Sequence, residues 1–340
     1  MIRSTTGDRR RTRPRRWLAA LAVGLVSLGV LVGCSSSSDS TDTSDSSAGG
    51  AFPVTIDHKF GSTTVDAEPT SVVTVGWNDQ DFALALGVVP VATRSWYENY
   101  SSFPWVQAAL GGKDLPTMSG DEINFEEIAQ RKPDLILAIY ETIDKKTYDR
   151  LSEIAPTVVQ SGQYPDEETP WDVQTLTTGK ALGRTDQATA LVAEVQSKID
   201  AAKAANPEFA GKTLVEDFGT EGEYVLAAGD PRRALFDALG FAAQPEVGDI
   251  SQERLDVLNR DVLFVNGRTK QQMLGNELFA RLPVVTEDRT LYAGNESALS
   301  GALAYGGPQA LLYATDRVVP QLANALDGNP ATPVEDLSNS

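Results

Sequence analysis

Asn124-Phe-Glu-Glu-Ile-Ala-Gln-Arg-Lys-Pro-Asp-Leu-Ile-Leu-Ala138 decides the fold. Asn124 is a helix-capping residue, and acids follow in the first turn, where the helix dipole favours them. Pro133 ends the helix, and Asp134 to Ile139 is apolar on both faces, as a buried parallel strand requires. The same order recurs without a gap in Ser251-Gln-Glu-Arg-Leu-Asp-Val-Leu-Asn-Arg-Asp-Val-Leu-Phe-Val265. Each copy has a cap, a Glu two positions on, an apolar helix face, an Asp and an apolar strand. Phe82-Ala-Leu-Ala-Leu-Gly87 is likewise echoed by Leu235-Phe-Asp-Ala-Leu-Gly240. Equal helix-to-strand spacing predicts two related α/β lobes.

Ser71-Val-Val-Thr-Val75 reads as a strand, Trp77 to Asp81 as a loop, Phe82 onward as a helix stopped by Gly87, and Val88 to Ala92 as the next strand. Apolar residues at helical spacing from Ala181 to Ala202 follow Pro170 and stop at Asn206-Pro207. They predict one long connecting helix over 171–206. The expected fold is α/β, with two Rossmann-like lobes (52–170 and 207–328) joined by that rigid helix and a ligand cleft between them. Residues 329–340 read as a flexible tail.

The formal net charge of −18 is a sum of unlike parts. Seven arginines and one acid give the first 33 residues +6, and the remainder carries −24. An acidic body argues against nucleic acid as a partner. The basic start runs into the apolar stretch Trp17 to Gly33, the pattern of an export signal over 1–33. Leu31-Val-Gly-Cys34 has the form of a bacterial lipobox, and Cys34 is the only cysteine. Cys34 is therefore the expected lipid attachment point, placing the protein on the outer face of the cytoplasmic membrane. Arg15-Arg16 leaves the export route open between the general secretory and twin-arginine paths. Residues 34–51, rich in Ser and Asp, read as a disordered tether. One cysteine and one histidine exclude a disulfide framework, a cysteine–histidine zinc site and a histidine-rich metal site.

The pattern resembles the substrate-binding proteins of bacterial siderophore and cobalamin ABC importers. Glu68 to Val75, Ala85 to Val91, Asn124 to Ala138, Leu239-Gly240 with Ile250 to Leu255, and Leu282 to Tyr292 carry the likeness. It implies a monomer with a shallow cleft, which delivers its ligand to a membrane permease and its ATPase. Docking through one surface glutamate per lobe is implied too, and the matching positions are Glu126 and Glu253, with Glu127 the alternative to Glu126. First-turn acids are also explained by the helix dipole alone.

In open α/β sheets, ligands lie outside the carboxyl ends of the strands. That rule selects Trp77, Arg94, Trp96, Tyr97, Tyr140 and Tyr164 in the first lobe, and Arg232, Arg233, Asn266, Arg268 and Tyr305 in the second. Aromatic faces and arginine forks suit a large ligand with anionic oxygens. A ferric siderophore fits, since the chelator already fills the iron sphere, and no intrinsic cofactor or metal ligand is then needed. Haem on a tyrosine, or cobalamin, is the alternative within the binding class. An enzyme is not expected: no Gly-x-Ser-x-Gly, P-loop or Gly-x-Gly-x-x-Gly motif is present. The acid pairs Asp79/Asp81 and Glu167/Glu168 read as solvated surface rather than a hydrolase dyad.

Overall fold

The computed structural model describes residues 51–94, 97–120, 122–329 and 331–340. The expected signal, Cys34, nearly all of the tether, and Trp96 lie outside the described residues. A hairpin of β1 (Val54–His58) and β2 (Gly61–Val65) opens the chain. The first sheet contains β3 (Val72–Thr74), β4 (Ala92–Thr93), β5 (Leu135–Ala138) and β6 (Thr157–Val159), all parallel, in the order β4-β3-β5-β6. Helices α1 (Asp79–Ala85), α2 (Pro104–Leu110), α3 (Phe125–Gln130) and α4 (Lys145–Ser152) join them. After α5 (Trp171–Ala181) and α6 (Thr185–Ala205) comes the second sheet, β7 (Leu214–Phe218), β8 (Glu223–Val225), β9 (Gly248–Ile250), β10 (Val262–Gly267) and β11 (Thr290–Gly294). Its order is β11-β10-β7-β8-β9, with β11, β10 and β7 parallel and β8 and β9 antiparallel. The helices of this half are α7 (Ala234–Leu239), α8 (Lys270–Leu274), α9 (Pro283–Thr286), α10 (Ala298–Tyr305) and α11 (Pro308–Leu326).

The sequence repeat is also a repeat of register. Leu135 pairs with Val72 in the first sheet, and Val262, its counterpart, pairs with Leu214 in the second. The aspartate before each strand does the same work. Asp134 accepts the N–H groups of Thr70 and Ser71 at 2.8 and 2.9 Å, and Asp261 accepts that of Thr213 at 2.9 Å. Each carboxylate thus pins the start of the neighbouring central strand. The copies part at the helix. The Asn124 side chain accepts from Glu127 N–H, whereas Ser251 makes no such bond, and Gln252–Leu258 is a 3-10 helix kinked at Arg254. A side-chain cap holds the first turn in α geometry, and the second copy lacks it.

Side chains alternate across each sheet. Val72, Leu135, Leu137 and Val158 face one core cluster and Val73, Ile136, Ala138 and Val159 another. In the second sheet, Val215, Leu263, Val265 and Tyr292 form one face. The other face, Leu214, Val262, Phe264, Leu291 and Ala293, joins a cluster that also contains Leu84, Tyr97, Phe103 and Trp105 from the first half. The two lobes therefore share apolar packing.

Three expectations need correction. The connecting segment is two helices, because Gly183 adopts φ +67° between α5 and α6, and the long helix is α6 alone. The pair packs closely at Gly179, where a Cβ would stand 2.3 Å from that of Ala188. The tail is not frayed: Val334 and Leu337 are buried in the shared core, and the carbonyls of Ser338 and Ser340 accept from Gly294 and Leu299 N–H at 3.0 and 2.9 Å. The strand expected over Val88 to Ala92 shortens to Ala92–Thr93.

Candidate ligand cleft

The chain leaves β3 through Gly76 and immediately folds back onto Asp79. The Asp79 carboxylate accepts the N–H groups of Gly76, Ile139 and Tyr140 at 3.1, 3.0 and 3.1 Å, and Gln174 Nε2 at 3.0 Å. Trp77 N–H donates to the Tyr140 carbonyl at 3.0 Å. One carboxylate thereby locks the loops at the carboxyl ends of β3 and β5 side by side. Gly76 is obligatory, since a Cβ there would lie 2.3 Å from Asp79 Oδ2. Burial pushes the Asp79 carboxyl up to about 6, against the four hydrogen bonds that hold it down. Asp81, equally buried, accepts from Tyr100 Oη at 2.7 Å and Trp105 Nε1 at 2.8 Å, and burial pushes it up to about 6 as well. Asp79 and Asp81 are thus internal clamps, not solvated acids. Their role is opposite to the surface reading, because Asp79 to Asp81, expected in the loop, already form the first turn of α1.

Trp77 and Tyr140, placed by this clamp, form one wall of a cleft of about 760 Å³. Asp166, Glu167 and Glu168, on the loop after β6, and the segment Ala227 to Arg232 complete it. Beneath Trp77 lies Arg94, its guanidinium 3.6 Å from the indole centroid. Arg94 is buried, donates to the Val75 carbonyl at 3.2 Å and pairs with Glu141. Burial pushes the Glu141 carboxyl up to about 7, with Arg94 acting against it. Across the cleft, Arg232 makes a two-pronged contact with Asp230, Nε to Oδ1 at 2.9 Å and Nη2 to Oδ2 at 2.7 Å, and lies over the Phe218 ring.

Of the residues selected from sequence, Trp77, Tyr140 and Arg232 line the cleft, and Arg94 backs it. Tyr97 and Tyr305 are buried in the shared core, their rings 5.8 Å apart, with Tyr305 bordering a small void beneath the cleft floor. Arg233 is wholly buried, held by Asp237 at 2.7 Å and the Leu214 carbonyl at 2.9 Å. Asn266 is buried in β10 beside Glu216. Arg268 is paired with Asp217 at 2.7 Å and Glu223 at 3.2 Å. Tyr164 is half-buried and is not among the lining residues; its carbonyl accepts from Gln160 Nε2 at 3.3 Å. Arg233, Asn266 and Arg268 thus lie off the cleft. Arg233 and Arg268 are drawn to carboxylates, and Asn266 is still within β10. Sequence reasoning did not select Asp166 or Asp230, and it read Glu167 and Glu168 as solvated surface. Their signal was position: they lie on the loops that follow β6 and β8.

Away from the cleft, Glu126 and Glu253 stand at equivalent first-turn positions, both exposed. Glu127 instead turns back: it accepts from Ser119 N–H at 3.2 Å and Ser119 Oγ at 3.1 Å, and that backbone donor holds its carboxyl below the usual range.

The sequence model of the family described as periplasmic binding protein matches residues 72–296, a span that runs from β3 to just beyond β11. The chain belongs to the periplasmic binding protein family. Members of the periplasmic binding protein family are extracytoplasmic solute-binding proteins of ABC importers. The Fe(3+)-citrate-binding protein YfmC of Bacillus subtilis is 27% identical over 263 residues, 75% of this chain and 81% of its own. A solved periplasmic solute binding protein from Mycobacterium smegmatis matches with a TM-score of 0.73 at 32% identity, over 80% of this chain and 98% of that one. The iron uptake ABC transporter substrate-binding protein PiaA from Streptococcus pneumoniae matches with a TM-score of 0.66 at 26% identity, over 81% of this chain and all (100%) of its own.

Proposed function

We propose that this periplasmic binding protein is a lipid-anchored receptor that captures a ferric siderophore and passes it to an ABC importer permease. The observation that carries the reading is the aromatic wall of Trp77 and Tyr140 over a cleft of about 760 Å³ at the carboxyl ends of the strands. Pockets of this size hold ligands of several hundred daltons, and aromatic faces supply apolar area without ligating a metal. Among the described residues, no group of three or more His, Cys, Asp or Glu side chains is placed to hold a metal ion. The cleft therefore favours a cargo that brings its iron already wrapped. Relatives named for ferric citrate binding and iron uptake support the same reading. Cys34 is the proposed anchor, and Glu126 and Glu253 the proposed permease contacts. Haem is less well supported, because burial raises the Tyr140 hydroxyl above its ordinary value and disfavours the phenolate a haem iron would need.

Tryptophan fluorescence tests the proposal, since Trp77 stands in the wall. Ferric hydroxamates, catecholates and citrate, with haem and cobalamin beside them, are titrated into the protein. Saturable quenching by at least one ferric chelate is expected. Quenching by haem alone would remove the siderophore reading.

A further inference from the structure

The charges around the cleft are inverted relative to the arginine-rich wall expected from sequence. Every selected arginine is already held by a carboxylate: Arg94 by Glu141, Arg232 by Asp230, Arg233 by Asp237, and Arg268 by Asp217 and Glu223. The lining itself carries four carboxylates, Asp166, Glu167, Glu168 and Asp230, and one guanidinium, Arg232. Arg232 is matched by Asp230, and Asp166 by Lys59. Glu167 and Glu168 are left without a cationic partner among the described residues. The Glu167 carboxylate accepts from Thr142 Oγ1 at 3.0 Å. Both acids line the cleft beside Trp77 and Tyr140, so they face the outer surface of whatever the aromatic wall holds. Their field reaches across the cleft: after burial and the opposing Arg232, the charges of Asp230, Glu167 and Glu168 add to the upward displacement of the Tyr140 hydroxyl.

Ferric chelates differ widely in charge. Three hydroxamates neutralise one ferric ion, and a pendant ammonium makes such a complex a cation. Three catecholates leave a trianion, and ferric citrate is anionic too. We propose that this cleft selects ferric chelates of zero or positive net charge, of the tris-hydroxamate class, over catecholates and citrate. A trianion would enter against Glu167 and Glu168 with no unpaired guanidinium among the described lining residues to receive it, whereas an ammonium would find both carboxylates waiting. Glu167 is half-buried and Glu168 exposed, so their effect weakens as salt is added. Binding of ferric citrate by a relative of 27% identity therefore does not carry over to this chain.

The inference rests on the ferric-chelate reading above, and one titration series separates the two. The full chain in mild detergent is titrated with four probes: a linear ferric tris-hydroxamate bearing a free amine, ferrichrome as the uncharged complex, a ferric tris-catecholate, and ferric citrate. At low ionic strength the two hydroxamates should bind at least about tenfold more tightly than the two anions. The Glu167→Gln/Glu168→Gln double variant should keep the parent melting temperature and narrow that ratio, as should added salt. Catecholate or citrate binding as tightly as the hydroxamates, or a ratio unmoved in the double variant, would overturn the charge selection and leave the ferric-chelate reading intact. Failure of all four probes would sink both.

Discussion

Glu216 stands in β7 with its carboxyl wholly buried beside Arg233. Burial pushes it up from 4.5 to about 8, with the Arg233 charge acting against that rise, Asp230 adding to it and Arg232 opposing. Folded chain therefore binds this proton more tightly than unfolded chain. The stability so contributed is complete below 4.5 and is lost as pH rises through about 8. The melting temperature should fall as pH rises past neutrality, and Glu216→Gln should flatten the upper part of that fall. The lower part belongs to Asp79 and Asp81, near 6, and to Glu141 and Asp217, near 7. Equal slopes above neutrality in parent and variant would refute the assignment. At this scale the sequence was only partly legible. Position after a strand found Trp77, Tyr140 and Arg232, but could not say which carboxylate would meet each arginine. Glu141 lies 47 residues from Arg94, and Asp217 51 from Arg268, so tertiary structure alone brings them together. The Arg233–Asp237 pair, four apart, was readable as a helical neighbour.

At the scale of elements, the repeat was legible because it rests on local rules: a cap, an apolar face, an aspartate hook and a strand. Its two copies give the same strand register, and each presents an acid at the same first-turn position. The break between α5 and α6 was less legible, since apolar spacing runs through it and only the positive φ of Gly183 ends the first helix. Helix-dipole stabilisation accounts for Glu126 or Glu253 alone, at about 0.3–1 kcal/mol each. Permease docking would use both together. In vesicles carrying the importer, Glu126→Arg with Glu253→Arg should cut uptake by about tenfold or more while ligand affinity stays at the parent value. Unchanged uptake would return both residues to a purely helical role. Glu127 is already occupied by Ser119, so Glu127→Arg should instead lower stability.

In the whole molecule, the core cluster that joins the lobes is completed by residues the sequence left out. Pro333-Val-Glu-Asp-Leu337 looked polar and proline-flanked, and its two apolar side chains are too few to show a period. Tertiary burial decides the matter. Leu337→Ala should cost about 2–5 kcal/mol in urea denaturation, the range for a buried leucine; a cost near zero would mean the segment is only loosely laid down. The burial also bears on how the molecule is made. Val334 and Leu337 follow every strand and helix of both lobes, yet they seal a core begun by Leu84 and Tyr97. A chain emerging N-terminus first, at about 5–20 residues per second, keeps that apolar face open until residues 334–337 have appeared. Closure of the core shared by the two lobes is therefore a late event in synthesis, after every strand of both sheets has been made.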